Sequence, residues 1–485
     1  MMNEKNIDQK ILQMFDMEEF RTNGHTIIDL LAKHIQNNIR GHSKVLNWQE
    51  PEQADLNWNE PLPEESTIDI KEFIKQLENN ILEGSLAIHH PHNLGHQVAT
   101  PIPIAALCDL VASLTNQAMA VYETGPSATM LERQVIRWLS QLIGWMNAEG
   151  VLTSGGALAN LTALLAARQQ KSDIWKTGKD DRKLCILASE HSHYSISRAA
   201  GIMGLGTDSV ITIKTDIQGK MDVNDLKQAH KTCVNNKQTI IAVVATAGCT
   251  PTGSIDPLLE IGHYCNSNDI WLHVDGAHGA SALLSSSHRD KLRGIELADS
   301  VVWDGHKLLY MPAAVSAVIF RDAKASFSAF SQDASYLFQG ESNESELFNV
   351  SYRTLECTKK MMGLKLWATF SLFGLEGLGL LVDKSFENAR LFAAMLSKHP
   401  QFSVLMEPQT NIVCFRHMPK GLAYEKLNDH QLGLRKRIIE SGEFHLTQVK
   451  LHDRIWLRTT LMNPFTTQDH LSSLIKTIFC DLQDH

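Results

Sequence analysis

The strongest constraint on the fold is an alternation of short apolar runs with helical stretches between about residues 100 and 380. The apolar runs lie at 184–188, 210–213, 240–245, 270–274, 300–303 and 315–320. Strands that alternate with helices usually pair in parallel, because each helix carries the chain back to the same end of the sheet. The sequence therefore predicts an α/β fold, in which a mostly parallel central sheet has helices on both faces.

The chain is expected to divide into three regions. In residues 1–100 a helical pattern gives way to a loop rich in Trp, Glu and Pro at 48–63, which indicates an N-terminal arm and not a core. Residues 101–384 carry the alternating pattern and form the large domain. Residues 385–485 mix helices with strands and predict a small C-terminal α+β domain. Two of its expected strands are 411–415 and 455–459.

Composition limits the class of protein and the kind of partner. The chain has 485 residues, of which 43% are hydrophobic and 20% charged, as is typical of a globular protein of more than one domain. Its 45 basic and 54 acidic residues give a net charge of -9, which offers no electrostatic footprint for nucleic acid or an anionic membrane. A small molecule is therefore the expected partner.

Cysteine usage and the apolar segments favour a cytoplasmic protein. The eight cysteines are scattered, without a Cys-x-x-Cys pair or a His/Cys cluster, so we expect reduced thiols and no metal site. The N-terminus lacks the uninterrupted apolar stretch of a signal peptide. The most apolar long window, 364–382, contains Lys365, Glu376 and three glycines, which favours a buried helix over a membrane span.

The residues that directly follow each apolar run are the first candidates for a site, because ligands of open parallel sheets lie outside the carboxyl ends of the strands. Asp304-Gly305-His306-Lys307 follows the run 300–303. An amine held in a partly desolvated pocket loses its proton readily and then attacks an aldehyde, such as that of pyridoxal phosphate. Lys307 is therefore a candidate Schiff-base lysine, although a solvated lysine at a strand end would look the same.

A second strand end offers a place for a phosphate. Ser154-Gly155-Gly156 lies between the apolar residues 150–152 and the expected helix 158–168. Small residues at a helix start let backbone N–H groups approach an anion closely. A plain strand-to-helix turn is the alternative.

Two more strand ends carry groups that suit a flat ring. Asp275 follows the run 270–274, and an ionised carboxylate there would keep a pyridine nitrogen protonated, so that the ring draws electrons from a carbanion. A helix cap is its alternative role. His193 follows the run 184–188 and offers an imidazole to cover one face of the ring, with a structural histidine as the alternative.

Short motifs in a fixed order extend along nearly the whole chain. They are His90-Pro91, Thr153-Ser154-Gly155-Gly156, Ser189-Glu190-His191-Ser192-His193, Ala245-Thr246-Ala247-Gly248, Val274-Asp275-Gly276-Ala277, Asp304-Gly305-His306-Lys307, and Leu457-Arg458 leading to Asn463-Pro464. With them the chain resembles the pyridoxal-phosphate-dependent group II amino-acid decarboxylases, the family of glutamate, aromatic amino-acid and 2,4-diaminobutyrate decarboxylases. The resemblance implies pyridoxal 5'-phosphate as cofactor and the fold type I architecture of aspartate aminotransferase. It also implies a homodimer with active sites at the subunit interface, in which the N-terminal arm packs on the partner.

The resemblance further implies a role for each matching residue. Lys307 would form the Schiff base, Asp275 would bind the pyridine nitrogen, and His193 would stack on the ring. Ala277 would support the opposite face, and Thr246 would lie near the ring oxygen or Asp275. Arg458 would bind a substrate carboxylate, which its forked guanidinium suits. The phosphate would be held by Ser154, Gly155, Gly156 and His306.

A proton donor is expected on a loop at about 335–353, where family members commonly carry a tyrosine that protonates the α-carbon after carbon dioxide leaves. One alignment places Phe348 at that position and another places Tyr352 there, so both are candidate catalytic residues. If Phe348 is the equivalent, protonation is less well assisted and an aldehyde-forming variant of the reaction is expected.

The predicted reaction is decarboxylation of an L-amino acid to the amine and carbon dioxide. His89, His96 and Tyr122 are expected to line the substrate pocket together with Arg458. A diamine substrate would need an acceptor such as Glu123.

Substrate identity is the least constrained prediction. The segments 89–92 and 120–126 look closest to bacterial members that act on 2,4-diaminobutyrate, which makes this amino acid the first choice. Aromatic amino acids and glutamate are alternatives. Two other classes also stay open, namely another pyridoxal-phosphate enzyme on the same fold, such as an aminotransferase, and a non-catalytic homologue that binds the cofactor.

Overall fold

A seven-stranded sheet forms the centre of the large domain. The computed structural model describes residues 4–178, 180–330 and 347–480. The strands of the sheet are β1 (Glu149–Thr153), β2 (Lys183–Ser189), β3 (Val210–Ile213), β4 (Gln238–Thr246), β5 (Leu272–Asp275), β6 (Ser300–Asp304) and β7 (Ser316–Phe320). Their order is β1-β7-β6-β5-β4-β2-β3, and all run in parallel except β7, which pairs antiparallel with β1 and β6. The predicted mostly parallel α/β sheet is confirmed.

Helices cover both faces of this sheet. The α-helices of the described residues, in both domains, are α1 (Glu4–Met14), α2 (Met17–Ile39), α3 (Pro51–Trp58), α4 (Ile70–Gln76), α5 (Pro103–Thr115), α6 (Pro126–Ile143), α7 (Gly156–Lys171), α8 (Ile174–Thr177), α9 (Ser195–Ile202), α10 (Val223–Asn235), α11 (Leu258–Ser267), α12 (Ala325–Ser328), α13 (Gly363–Ser397), α14 (Leu427–Ser441) and α15 (Gln468–Cys480). Successive strand residues point to opposite faces, so that Val301 and Trp303 join one apolar cluster and Val302 joins the other. Burial on both faces explains why the strands read as continuous apolar runs.

The C-terminal region contains a second sheet. Its strands are β8 (Phe402–Val404), β9 (Ile412–His417), β10 (Thr447–Leu451) and β11 (Arg454–Thr460), in the antiparallel order β10-β11-β9-β8. Together with α14 and α15 it encloses a separate apolar cluster, which also includes Leu94 from the segment before α5. The predicted small α+β domain is confirmed.

Helix α13 joins the two domains. Its start packs against α5 and α6 and its end against β8, β9 and α15. The backbone of Gly374, at φ 63° and ψ -176°, interrupts the helix. The expected domain boundary between residues 384 and 385 lies inside α13. Length and composition would allow this helix to cross a membrane, but Lys365 near its start is buried and its ammonium lies 3.0 Å from the carboxylate of Asp109.

The expected loop at 48–63 is wrong in part, because α3 lies within it. Pro51 stands at the first turn of this helix, where the missing N–H has no partner to lose. The helix buries none of its residues, so it lacks the apolar periodicity that would have predicted it.

A buried ion pair fixes the carboxyl end of β1. The ammonium of Lys359 contacts the carboxylate of Glu132, and both side chains are less than 5% exposed. Lys359 also donates to the carbonyl oxygen of Leu152 over 2.6 Å, while the backbone N–H of Leu152 donates to Glu132 over 3.1 Å. The strand end that leads into Ser154-Gly155-Gly156 is therefore held on both its N–H and C=O sides.

We expect Lys359→Ala to lower the free energy of unfolding by about 3–5 kcal/mol, because it leaves the Glu132 carboxylate buried without its cation. Urea unfolding followed by circular dichroism measures the change. Lys360→Ala is the matched control, since Lys360 is exposed and lies 3.9 Å from Asp109, and it should change stability by no more than about 0.5 kcal/mol. Equal losses of stability in the two variants would contradict the role of the Lys359–Glu132 ion pair in fixing the end of β1.

Candidate active site

The carboxyl ends of the parallel strands surround a cavity of about 270 Å³. Many of the predicted site residues line it together. They are Gly155, Gly156, His193, Thr246, Asp275, Ala277, His306 and Lys307. The cavity therefore lies where the ligand of an open parallel sheet is expected.

The amine of Lys307 is held by a carboxylate from its own strand end. Its Nζ lies 3.1 Å from Oδ2 of Asp304, the last residue of β6, whose side chain is only 2% exposed. The other oxygen of Asp304 accepts a hydrogen bond from the Ser316 hydroxyl. Because Asp304 is anchored in this way, it fixes the position of the Lys307 amine near the carboxyl end of β6.

Asp275 ends the neighbouring strand β5 and receives two hydrogen bonds. The side-chain amide of Asn160 donates to its Oδ2 over 3.0 Å, and the backbone N–H of Ala277 donates to its Oδ1 over 3.2 Å. The carboxylate is buried, with 5% of the residue exposed. The two bonds fix the orientation of the carboxylate at the edge of the cavity.

A chain of hydrogen bonds behind Asp275 holds Asn160 in one orientation. Nε2 of His273 lies 2.9 Å from the Asn160 amide oxygen, and Nδ1 lies 2.8 Å from the Ser300 hydroxyl. Burial lowers the pKa of His273 to about 4, so the ring is neutral near pH 7. Since an amide oxygen only accepts, Nε2 carries the proton and Nδ1 accepts from Ser300. Every donor in this chain therefore points toward Asp275.

Asn160 also orients His193. Its amide donates to the Ser195 hydroxyl over 2.9 Å, and that hydroxyl lies 2.8 Å from Nδ1 of His193. The backbone N–H of Ser195 donates to the same nitrogen over 3.3 Å, so Nδ1 is an acceptor. Burial lowers the pKa of His193, while Asp275 opposes this effect. A neutral ring with its proton on Nε2 therefore faces the cavity.

Several features of the cavity fit pyridoxal phosphate. The Thr246 hydroxyl is buried and has no hydrogen-bond partner among the described residues, so it is available to a polar ring substituent. A side chain on Gly155 would meet nothing within 4 Å, which leaves open space at the start of α7 for a phosphate. At Gly156 an added Cβ would lie 2.9 Å from Oδ1 of Asp304, so only glycine fits there. An amine, a carboxylate and an imidazole complete the set of groups that the cofactor needs.

Arg458 lies behind the wall of the cavity. It is 5% exposed, and its Nη1 donates to the Thr447 hydroxyl over 3.2 Å. Its Nε and Nη2 have no partner among the described residues. The pKa of His278, which lines the cavity, is lowered to about 3 by burial, with Lys307 and Arg458 adding to the effect. A buried, partly unsatisfied guanidinium therefore stands next to the site.

The other predicted site residues do not line this cavity within the same chain. The Ser154 hydroxyl points instead toward Glu356, 3.4 Å away. The His96 ring lies 5.7 Å from the His445 ring. His89 is buried, and its Nε2 has no partner among the described residues. His89 and His96 belong to the segment that packs on the small domain.

The aromatic residues near the expected loop form a separate group. The rings of Tyr122 and Phe348 are 5.9 Å apart, and the guanidinium of Arg133 lies 4.7 Å above Phe348. Tyr352 lies in a short 3-10 turn, Val350–Arg353. Residues 335–346 of the expected loop are outside the described residues.

Three residues that support the predicted ones were not among the predicted site residues. Asn160 and Ser195 connect Asp275 to His193, and Asp304 holds Lys307. Asn160 stands in the middle of the apolar stretch of α7, four positions after Gly156 and thus on the same face of the helix. A lone amide in such a stretch was the available signal.

Comparisons with known proteins point to one family. Residues 51–418 match the pyridoxal-dependent decarboxylase conserved domain. The chain is 32% identical over 423 residues to the L-2,4-diaminobutyrate decarboxylase of Rhizobium meliloti (strain 1021), covering 86% of this chain and 83% of the relative. It is 30% identical over 466 residues to the aromatic-L-amino-acid decarboxylase of Bacillus atrophaeus, covering 95% of each. The crystal structure of mouse CSAD matches with a TM-score of 0.89 at 27% identity, covering 96% of this chain and 98% of that one.

We expect Asn160→Ala to weaken binding of pyridoxal phosphate by about 10- to 100-fold, because Asp275 and Ser195 both lose a donor. Titration of the apoprotein, followed by visible absorbance, measures the affinity. Gln170→Ala is the control, since Gln170 is an exposed residue on the same helix and its change should leave the affinity unaltered. Wild-type affinity in Asn160→Ala would show that Asp275 is positioned without the amide.

Proposed function

The chain belongs to the pyridoxal-dependent decarboxylase family and is a pyridoxal-phosphate-dependent amino-acid carboxy-lyase, and from this premise we propose that it acts on L-2,4-diaminobutyrate or a similar bacterial substrate. The predicted family, reaction class and cofactor are confirmed. The observation that carries the assignment of roles is the placement of Lys307 and Asp275 on neighbouring strand ends of one cavity.

We infer the following roles for the residues around the cofactor. When bound, pyridoxal phosphate supplies a protonated ring that accepts the electrons released as carbon dioxide leaves. Asp275 keeps the ring nitrogen protonated, and Lys307 provides the amine that holds the cofactor aldehyde. His193 covers one face of the ring and Ala277 supports the other.

The phosphate group would be held at the start of α7. Gly155 and Gly156 expose backbone N–H groups there, and the positive end of the helix favours an anion. Ser154 and His306 are the side chains next to this position. Thr246 offers its unpartnered hydroxyl to the ring oxygen.

Arg458 is the proposed anchor for the substrate α-carboxylate. A buried guanidinium with free Nε and Nη2 donors lacks a counterion among the described residues, and a carboxylate satisfies both donors at once. A fixed forked donor would hold the substrate carboxylate in one orientation relative to the cofactor.

Three points favour a diamino acid as the substrate. The segments 89–92 and 120–126 look most like bacterial members of that kind, and the relative from Rhizobium meliloti is named for this substrate. Glu123 lies on the exposed turn Tyr122–Thr124 and offers a carboxylate to a distal ammonium. His89, His96 and Tyr122 are proposed to shape the rest of the pocket. An aromatic amino acid is the second candidate, because the Bacillus atrophaeus relative is similar over nearly its whole length.

Carbon dioxide release from a panel of amino acids tests this assignment. We expect the highest kcat/KM with L-2,4-diaminobutyrate and lower values with tyrosine, phenylalanine, glutamate and cysteine sulfinate. Lys307→Ala should abolish release from every substrate, because the amine that holds the cofactor is gone. A higher kcat/KM with an aromatic or acidic amino acid would overturn the diaminobutyrate proposal and leave the decarboxylase class intact.

We also propose a homodimer with active sites at the subunit interface. Large apolar side chains of the N-terminal arm are 48–80% exposed in the single chain, and they are Ile11, Leu12, Met14, Phe15 and Met17. A further exposed set lies on α5, and it comprises Leu107, Leu110, Val111 and Leu114. Apolar surfaces of this kind are usually covered by another protein chain.

The aromatic loop residues are proposed to act in the partner's site. Neither Phe348 nor Tyr352 lines the cavity of its own chain, although one of them is expected to serve the protonation step. If Tyr352 is the donor, Tyr352→Phe should slow amine formation by roughly 10²- to 10⁴-fold.

Mixing two inactive variants tests the dimer and the loop together. Subunits with Lys307→Ala and subunits with Tyr352→Phe should form hybrid dimers with one complete site, which restores about a quarter of the wild-type activity after random exchange. No recovery, with hybrid dimers verified by mass, would contradict a shared site. Full amine formation by Tyr352→Phe alone would rule out Tyr352 as the proton donor. Amine and aldehyde yields of the wild type and Phe348→Tyr then test whether Phe348 stands at that position, and unchanged yields would contradict it.

A further inference from the structure

A cavity larger than the cofactor site lies away from it. It is a cleft of about 880 Å³ between the large and small domains. The turn before α10, the start of α11, the 3-10 turn Arg289–Leu292, helix α13 and the β8–β9 connection form its walls. None of the residues around the cofactor cavity lines it. We call it the interdomain cleft.

Four basic side chains line the interdomain cleft, and they are Lys220, Lys291, Arg293 and Arg390. Lys291 and Arg293 come from the 3-10 turn Arg289–Leu292 and the residue after it, Lys220 from the turn before α10, and Arg390 from α13. None of the four forms an ion pair or a side-chain hydrogen bond with the part of the chain that the structure describes. Burial lowers the pKa of Lys291, and the charges of Arg390 and Lys220 lower it further, so these groups are close enough to repel one another. Such a concentration of unpaired cations calls for a counterion.

The acidic residues of the cleft do not neutralise this charge. Glu260 lies 3.7 Å from Lys227, which is outside the lining. Glu407 faces Lys291 and offsets one cation. Asp256 is buried and accepts backbone N–H bonds from Met221 and Thr246 over 2.7 Å each. Burial raises its pKa to about 6 and the charge of Lys220 opposes this effect, so the carboxylate is ionised near pH 7 and offsets a second cation. An excess of positive charge therefore remains at the mouth of the cleft, where His263, Gln218 and Gln409 are the other polar groups.

We propose that the interdomain cleft is a second ligand site, which binds a small molecule with two or more negative charges, such as a phosphate ester or a polycarboxylate. Its volume is that of a typical small-molecule site. Half-buried Lys220 and Lys291 lie inside, and exposed Arg293 and Arg390 stand at the rim, so an anion entering the cleft meets donors from both domains. Guanidinium groups bind phosphate and carboxylate oxygens in pairs, which favours a polyvalent anion over chloride.

Titration calorimetry of the cofactor-saturated protein with inorganic pyrophosphate, in a buffer free of phosphate, tests the proposal. We expect saturable binding of one pyrophosphate per chain, which weakens as salt is added. The double variant Lys291→Gln with Arg390→Gln should bind at least about tenfold more weakly for each lost charged contact. Lys436→Gln with Lys450→Gln is the matched control, because it removes the same charge from exposed positions outside the cleft and should bind as the wild type does.

Visible absorbance of the bound cofactor, recorded in the same samples, separates the two sites and checks folding. We expect it to be equal in all variants and unchanged by pyrophosphate. Loss of this absorbance on titration would place the anion at the cofactor phosphate position and overturn the proposal. Absence of binding by the wild type up to millimolar pyrophosphate, or equal affinity in the cleft variant, would also overturn it. Arg293→Gln, at an exposed position, gives the same test if the double variant does not fold.

Discussion

Burial of the central sheet on both faces is the constraint on which the site depends. The central residues of β6, Val301 to Trp303, alternate between two apolar clusters, and the polar residues of the strand stand at its two ends, Ser300 and Asp304. In β5, which ends at Asp275, the one polar side chain before the end is His273, and both of its ring nitrogens are hydrogen-bonded. Because the parallel strands end at one edge of the sheet, their polar terminal residues lie close together there. The amine of Lys307 is thereby placed next to the carboxylate of Asp304.

Asp275 and His193 belong to one hydrogen-bonded unit at this edge. Asn160 is its junction, since one amide group bonds Asp275 directly and reaches His193 through Ser195. The neutral His273 ring donates a hydrogen bond to the Asn160 amide oxygen, which fixes the orientation of the amide group. Buried polar groups that are fully bonded have few alternative arrangements, so the carboxylate and the imidazole are in place before a ligand arrives.

The sequence predicted the fold well, because burial leaves a direct mark on it. The predicted strand at 210–213 matches β3, and the run at 300–303 differs from β6 only by Asp304. Hydrogen bonds between distant residues leave no such mark. Asn160 and Asp275 are 115 positions apart, and only the folded chain shows that they touch. The same reason applies to Arg458, whose proximity to the cavity depends on how the small domain sits against the large one. The exposed helix α3 was missed because it carries no burial pattern.

Helix α13 belongs to two apolar cores at once. Beyond Gly374, its residues Leu378, Val382 and Phe386 are part of the large-domain core, whereas Phe392 belongs to the core of the small domain. Rotating one domain against the other would have to bend a continuous helix between these layers and break backbone hydrogen bonds in its middle. The helix therefore acts as a rigid strut between the two domains. It keeps the distance from the strand ends of the large domain to Arg458 on β11 constant while substrates and products are exchanged.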